Sequence, residues 1–163
     1  MILGVLKEAN DSEWGAPSFA QSKVKTDRVR FLSDFCNLNR KLKLKLYPMP
    51  KIREMLLKFD GFQYATALDL NMVYYCIRIS EQASNLWKII LSWGKYQYKR
   101  LTMGVSHSPE IFQKKISEMF RGFEFIREYI NDLLIITKGD WSDRLEKLEL
   151  TLKKKKITDL SAM

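Results

Sequence analysis

Apolar and polar positions change their period several times along this chain, and each change marks an element. Residues 28–32 alternate and predict a strand, while Lys41, Lys43 and Lys45 alternate with Leu42, Leu44 and Leu46. That second period-two pattern predicts an extended segment with its ammonium groups on one face. Beyond Pro48 and Pro50, Ile52, Met55, Leu56 and Phe59 recur at helical spacing until Asp60 and Gly61, which end a short amphipathic helix. Residues 62–70 and 74–79 read as strands, and residues 88–93 and 96–101 as a hairpin turning at Gly94 and Lys95. Ser108 and Pro109 suit a helix N-cap and first turn, followed by a buried stripe of Ile111, Phe112, Ile116 and Phe120 that stops at Gly122. Residues 123–130 and 133–137 are two apolar strands flanking a turn at Asn131 and Asp132, residue types that tolerate the left-handed backbone of a tight hairpin. A helix over 141–156 carries Leu145, Leu148 and Leu152 on one face and a basic C-terminal end favourable to its dipole. This mixture of elements predicts an α/β (α+β) fold.

Length and composition narrow the class. With 163 residues, 46% of them hydrophobic, the chain has material for one core and one domain. Lys and Arg total 28 against 19 Asp and Glu, a net charge of +9, which favours a polyanionic partner such as nucleic acid. Charge alone suits a solvated basic surface equally well. Cys36 and Cys76 lack the spacing of a disulfide framework or zinc site. His107 is the only histidine, so catalytic machinery needing several imidazoles is excluded, and it reads as a loop residue. No apolar run approaches a membrane span and the start has no signal-peptide pattern. These features imply an intracellular protein with no membrane partner and no secretion.

Two acidic segments carry the candidate chemistry: Ala67-Leu68-Asp69-Leu70 closes one strand-like run, and Tyr129-Ile130-Asn131-Asp132 lies between two others. Taken singly, Asp69 ends a strand and Asn131-Asp132 makes a turn. If the fold joins them, their oxygens form a site for hard divalent ions over a nucleotide triphosphate, because Mg²⁺ selects carboxylate, carbonyl and phosphate oxygens.

Further segments fall in order around these two: Ser12-Glu13-Trp14-Gly15-Ala16-Pro17-Ser18, Tyr47-Pro48-Met49-Pro50-Lys51-Ile52, Met103-Gly104-Val105, Ser108-Pro109 and Phe112-Gln113. Together they make the chain resemble the fingers and palm of the reverse transcriptase of gypsy-type long-terminal-repeat retrotransposons. The resemblance covers residues 4–155 and leaves 156–163 as an unmatched tail. It implies a polymerase right hand, with fingers over about 4–44 and 77–106 and a palm over about 45–76 and 107–155. The palm would be an RRM/ferredoxin-like antiparallel sheet with helices, and nothing matches a thumb.

The resemblance implies RNA-directed DNA polymerisation on an RNA/DNA primer-template, with Mg²⁺ or Mn²⁺ and dNTP substrates, in a cytoplasmic particle or the nucleus. It leaves the oligomeric state open. Asp69 and Asp132 would be metal ligands, with the Leu70 carbonyl adding an oxygen, and Asn131 would complete the catalytic set. Lys25 and Arg30 would grip the triphosphate, Tyr74 would exclude a ribose 2′-hydroxyl, and Met103 and Gly104 would line the nucleotide pocket.

Departures from the family pattern question activity. Asn131 stands where the family has Asp, which removes a charge from the metal cage. Val73 replaces a glycine beside Tyr74, and Thr102 and His107 replace a proline and an asparagine. The resemblance is thus to a truncated, degenerate copy whose polymerase is impaired; the alternative is a non-catalytic nucleic-acid-binding remnant.

Overall fold

A computed structural model of the chain describes residues 4–9, 13–22, 29–43, 47–57, 61–155 and 160–161. In chain order its elements are β1 (Leu6–Glu8), β2 (Ala16–Ser22), β3 (Val29–Ser33), α1 (Cys36–Asn39), α2 (Ile52–Leu57), β4 (Tyr64–Asp69), β5 (Ile77–Arg78), α3 (Glu81–Leu86), β6 (Lys88–Leu91), β7 (Gly94–Tyr98), α4 (Ser108–Met119), β8 (Ile126–Tyr129), β9 (Asp132–Thr137) and α5 (Trp141–Lys155). They divide between two compact units interleaved along the chain, one drawn from Met1–Lys45 and Tyr74–Ser108, the other from Leu46–Val73 and Pro109–Leu160.

The first unit is built on a five-stranded sheet in the order β1-β7-β6-β2-β3. Its core contains Ala16, Phe35, Ile77, Ile89, Tyr98 and Leu101, all essentially buried. Gln97 and Ser84 enter this core as a hydrogen-bonded pair. Gln97 Nε2 donates to Ser84 Oγ at 2.9 Å, and that hydroxyl donates to the Tyr98 carbonyl at 2.6 Å.

Three expectations fail in this unit for local reasons. The β6–β7 hairpin reverses at Ser92 and Trp93, with Leu91 paired to Gly94, rather than at Gly94 and Lys95; glycine marks the turn but takes its closing position. Lys41 and Leu42 do not extend, because their N–H groups both donate to the Leu38 carbonyl, at 2.9 and 3.2 Å, in the turn that closes α1. Buried Phe35 and Leu38 anchor that helical turn, and residues 44–46 of the alternating pattern lie outside the described residues. Lastly, Val73–Cys76 forms a 3-10 turn and only Ile77–Arg78 is extended, so the β-rich composition of 74–79 yields to a tight turn. The left-handed residue there is Met72, with φ 54°, and not Val73.

The second unit is a three-stranded antiparallel sheet, β4-β9-β8, carrying α4 and α5. Central β9 alternates strictly, with Leu133, Ile135 and Thr137 buried to 1% exposure. Phe112, Ile116 and Phe120 of the predicted α4 stripe are likewise buried. Ser108 is the first helical residue and not a side-chain cap, since its buried hydroxyl has no partner. For α5 the cap is Asp140, whose Oδ1 accepts from Asp143 N–H at 3.0 Å. Leucine content misleads about the face α5 buries: Leu145 and Leu152 are 48% and 43% exposed, whereas Thr151 is fully buried. Thr151 tolerates this because its hydroxyl donates to the Lys147 carbonyl at 2.8 Å, and Arg144 ties the same helix to β4 through Thr66 Oγ1 at 3.1 Å.

Among the described residues no helix is long and apolar enough to cross a membrane, and Cys36 and Cys76 are free thiols. Ile135 lies at the centre of the sheet on its buried face, so Ile135→Ala is expected to lower the unfolding free energy by about 2–5 kcal/mol. Denaturant titration checks this.

Candidate active site

Asp69 ends β4 and Asp132 begins β9, and the antiparallel register pairs them directly. Leu70 N–H donates to the Asn131 carbonyl at 2.8 Å, which makes 70/131 a hydrogen-bonded pair. Asp69 and Asp132 therefore occupy the adjacent non-hydrogen-bonded site, where facing residues approach most closely, about 4.5 Å between Cα atoms. Period two then sets their face. Leu68, Thr66, Leu133 and Ile135 share the buried side, so Asp69 and Asp132 project from the other side together with Ala65 and Ala67. Both carboxylate residues are exposed, and the two alanines beside Asp69 leave that face of β4 free of bulk.

The hairpin turn falls one residue earlier than the sequence suggests. Tyr129 pairs with Asp132, so the chain reverses at Ile130 and Asn131, and Asp132 is already strand. The left-handed residue is Ile130, with φ 50°, a strained conformation for a β-branched side chain. Gln113 of α4 holds it in place. Fully buried, Gln113 accepts from Ile130 N–H through Oε1 at 2.7 Å. Its Nε2 donates to the Glu128 carbonyl and to Ser117 Oγ, both at 3.2 Å. Sequence reasoning assigned Gln113 no role; the available signal was a polar residue beside Phe112 on the apolar stripe of α4.

Asn131 is the third member of the group. Its side-chain Nδ2 donates to Asp69 Oδ1 at 2.9 Å, so one carboxylate oxygen faces a hydrogen-bond donor. Leu70, buried to 5% exposure, adds its backbone to the same corner through the bond to Asn131. Asp69, Leu70, Asn131 and Asp132 are thus brought together within the second unit. Among the described residues no group of three or more His, Cys, Asp and Glu is arranged to hold a metal ion; the corner offers two carboxylates and one amide.

The other site candidates belong to the first unit, and Lys25 lies outside the described residues. Arg30 is exposed on β3, and Met103 is 43% exposed in the loop before α4. Tyr74 is half-buried in the 3-10 turn, and that burial pushes its hydroxyl above the usual tyrosine pKa. Gly104 has φ +94°, and a Cβ there would lie 2.8 Å from the Ser33 carbonyl oxygen, so glycine is required by the packing of the loop itself. Asn39 clamps that loop, donating to the Gly104 carbonyl at 2.8 Å and accepting from Ser106 N–H at 2.9 Å. Nothing in the sequence pattern marked Asn39.

The family described as reverse transcriptase (RNA-dependent DNA polymerase) matches residues 21–160. A putative enzymatic polyprotein of Cassava vein mosaic virus is 30% identical over 132 residues, which is 78% of this chain and 20% of that protein. The retrovirus-related Pol polyprotein from transposon gypsy of Drosophila melanogaster is 27% identical over 157 residues, 92% of this chain and 15% of that protein. The chain thus spans a fifth or less of the length of these relatives. Among solved structures, a foamy viral protease-reverse transcriptase in complex with double-stranded DNA superposes with a TM-score of 0.86 at 19% identity, covering 96% of this chain and 27% of that one. The foamy viral enzyme with an RNA/DNA hybrid gives a TM-score of 0.80 at 20% identity, over 93% of this chain and 20% of that one. At such identities the structural likeness is one of fold.

The clamp on the turn has a direct readout. Gln113→Leu keeps the volume but strands the Ile130 amide, and is expected to cost about 1–3 kcal/mol and to speed hydrogen exchange at Ile130. Unchanged exchange there would remove Gln113 from the support of the site.

Proposed function

This chain belongs to the reverse transcriptase (RNA-dependent DNA polymerase) family, found in retroelement polyproteins, and from that premise we propose a gypsy-type retrotransposon origin with a nucleotidyl-transfer site impaired at Asn131. The gypsy-type assignment draws on the ordered motifs from Trp14 to Ile135 and on the 27% identity to the gypsy polyprotein. The observation that carries the impairment is the hydrogen bond from Asn131 to Asp69.

The donor set at this corner fits one hard divalent cation, Mg²⁺ or Mn²⁺, held by the carboxylates of Asp69 and Asp132 with the Leu70 carbonyl as a further oxygen. When bound, such ions neutralise charge on the attacking 3′-oxygen and on the leaving pyrophosphate. Asp69 and Asp132 lie at the ends of adjacent strands, and Gln113 keeps the β8–β9 turn beside them from relaxing. Asn131 works against the second ion, since its amide is neutral and presents N–H to Asp69, where a carboxylate would present another oxygen. The roles that the resemblance gives to Lys25, Arg30, Tyr74, Met103 and Gly104 belong to the first unit. There Arg30 would grip phosphate through its planar fork, and Tyr74 would select deoxynucleotides by bulk.

A second reading has its own observation in the net charge of +9: a domain that binds primer-template by phosphate contacts without extending it. Primer extension with Mg²⁺ or Mn²⁺, run on this protein and on Asn131→Asp, separates the two. Losing one transition-state stabilising group costs on the order of 10²–10³ in rate, so the variant is expected to extend at least about 10²-fold faster. Equal, substantial extension by both proteins defeats the impairment; template binding with no extension by either favours the binding domain.

A further inference from the structure

The amide at position 131 makes a bond that a carboxylate would not. Asp69 and Asp132 face each other at the close cross-strand site, and like charges directly opposite one another destabilise a strand pair. Neither takes part in an ion pair among the described residues. A carboxylate at 131 would be a third negative group at the same corner, where no ion pair among the described residues offsets the first two. Asn131 reverses that term. Its Nδ2 donates to Asp69 Oδ1 at 2.9 Å and its carbonyl accepts from Leu70 N–H at 2.8 Å, so one residue ties the end of β4 to the turn through both side chain and backbone. Hydrogen bonds to an ionised acceptor are the stronger kind.

We propose that Asn131 takes over the charge-relieving task of a divalent cation and makes the β4 and β8–β9 corner stable with no metal bound. Substitution at 131 then exchanges metal-dependent chemistry for metal-independent folding. The part of this inference that concerns cations rests on reading Asp69 and Asp132 as their ligands.

Thermal unfolding of the protein, Asn131→Asp and Asn131→Ala, in EDTA and in millimolar MgCl₂ at matched ionic strength, tests it without reference to activity. The unsubstituted protein is expected to gain less from MgCl₂ than Asn131→Asp does. In EDTA, Asn131→Asp is expected to melt about 2–4 °C lower and to regain most of the loss in MgCl₂, because a ligand that binds only the folded state raises its stability. Asn131→Ala is expected to lose stability in EDTA and to regain less in MgCl₂ than Asn131→Asp, having one carboxylate fewer. If Asn131→Asp is as stable as the parent in EDTA, or Asn131→Ala melts unchanged, the proposal is overturned; so too if the parent gains as much from MgCl₂ as Asn131→Asp does. Loss in EDTA with no recovery in MgCl₂ upholds the charge-relieving bond and counts against the cation site itself. Should Asn131→Asp fail to fold in EDTA and fold in MgCl₂, the proposal is supported in its strongest form.

Discussion

The register of β4 against β9 is the constraint on which the candidate site depends. It places Asp69 opposite Asp132, yet that pairing is itself unfavourable, by about 0.2–1 kcal/mol for a cross-strand pair of like charge. Hydrophobic burial pays for it. Leu133 and Ile135 are 1% exposed on the opposite face of the same strand, and each fully buried side chain of this kind contributes about 1.5–3 kcal/mol. A slip of one residue would turn both to solvent, because side chains alternate faces with period two. The core term exceeds the electrostatic one several-fold, so the carboxylates are held together by residues that never touch them.

That division of labour explains what was legible in the chain. Strictly alternating β9 and the apolar stripe of α4 are core signals, and Leu133, Ile135, Phe112, Ile116 and Phe120 are buried as their spacing requires. The strands around Asp69 and Asp132 were legible from this pattern, whereas the pairing of the two carboxylates was implied only by the resemblance of the ordered motifs. Less legible were features decided by hydrogen bonds between residues distant in sequence. The turn sits at Ile130 and Asn131, although Asn and Asp are the better left-handed formers, because Gln113, seventeen positions away, accepts from the Ile130 amide. Asn39 and the 104–106 loop show the same limit across 65 residues. Position-specific propensity cannot register such partners. The start of the period-two run fails differently: Lys41 and Leu42 are drawn into a helical turn anchored by Phe35 and Leu38.

Family membership and the proposed impairment are compatible because different residues carry them. The fold needs the strand register, the α4 stripe and the clamp on Ile130, and Asn131 supplies none of these with its side chain. Any residue at 131 would keep the backbone bond from Leu70, since that bond uses the carbonyl. What the side chain decides is the sign of the field at Asp69: a carboxylate adds an oxygen and a charge for a cation to neutralise, whereas the amide supplies an N–H at 2.9 Å. A site relieved of its cation demand, as proposed for Asn131, would keep its fold under conditions that would strain an acidic one. The amide proposed to impair catalysis therefore leaves in place the contacts that hold the fold, and a chain bearing it retains the fold of its relatives.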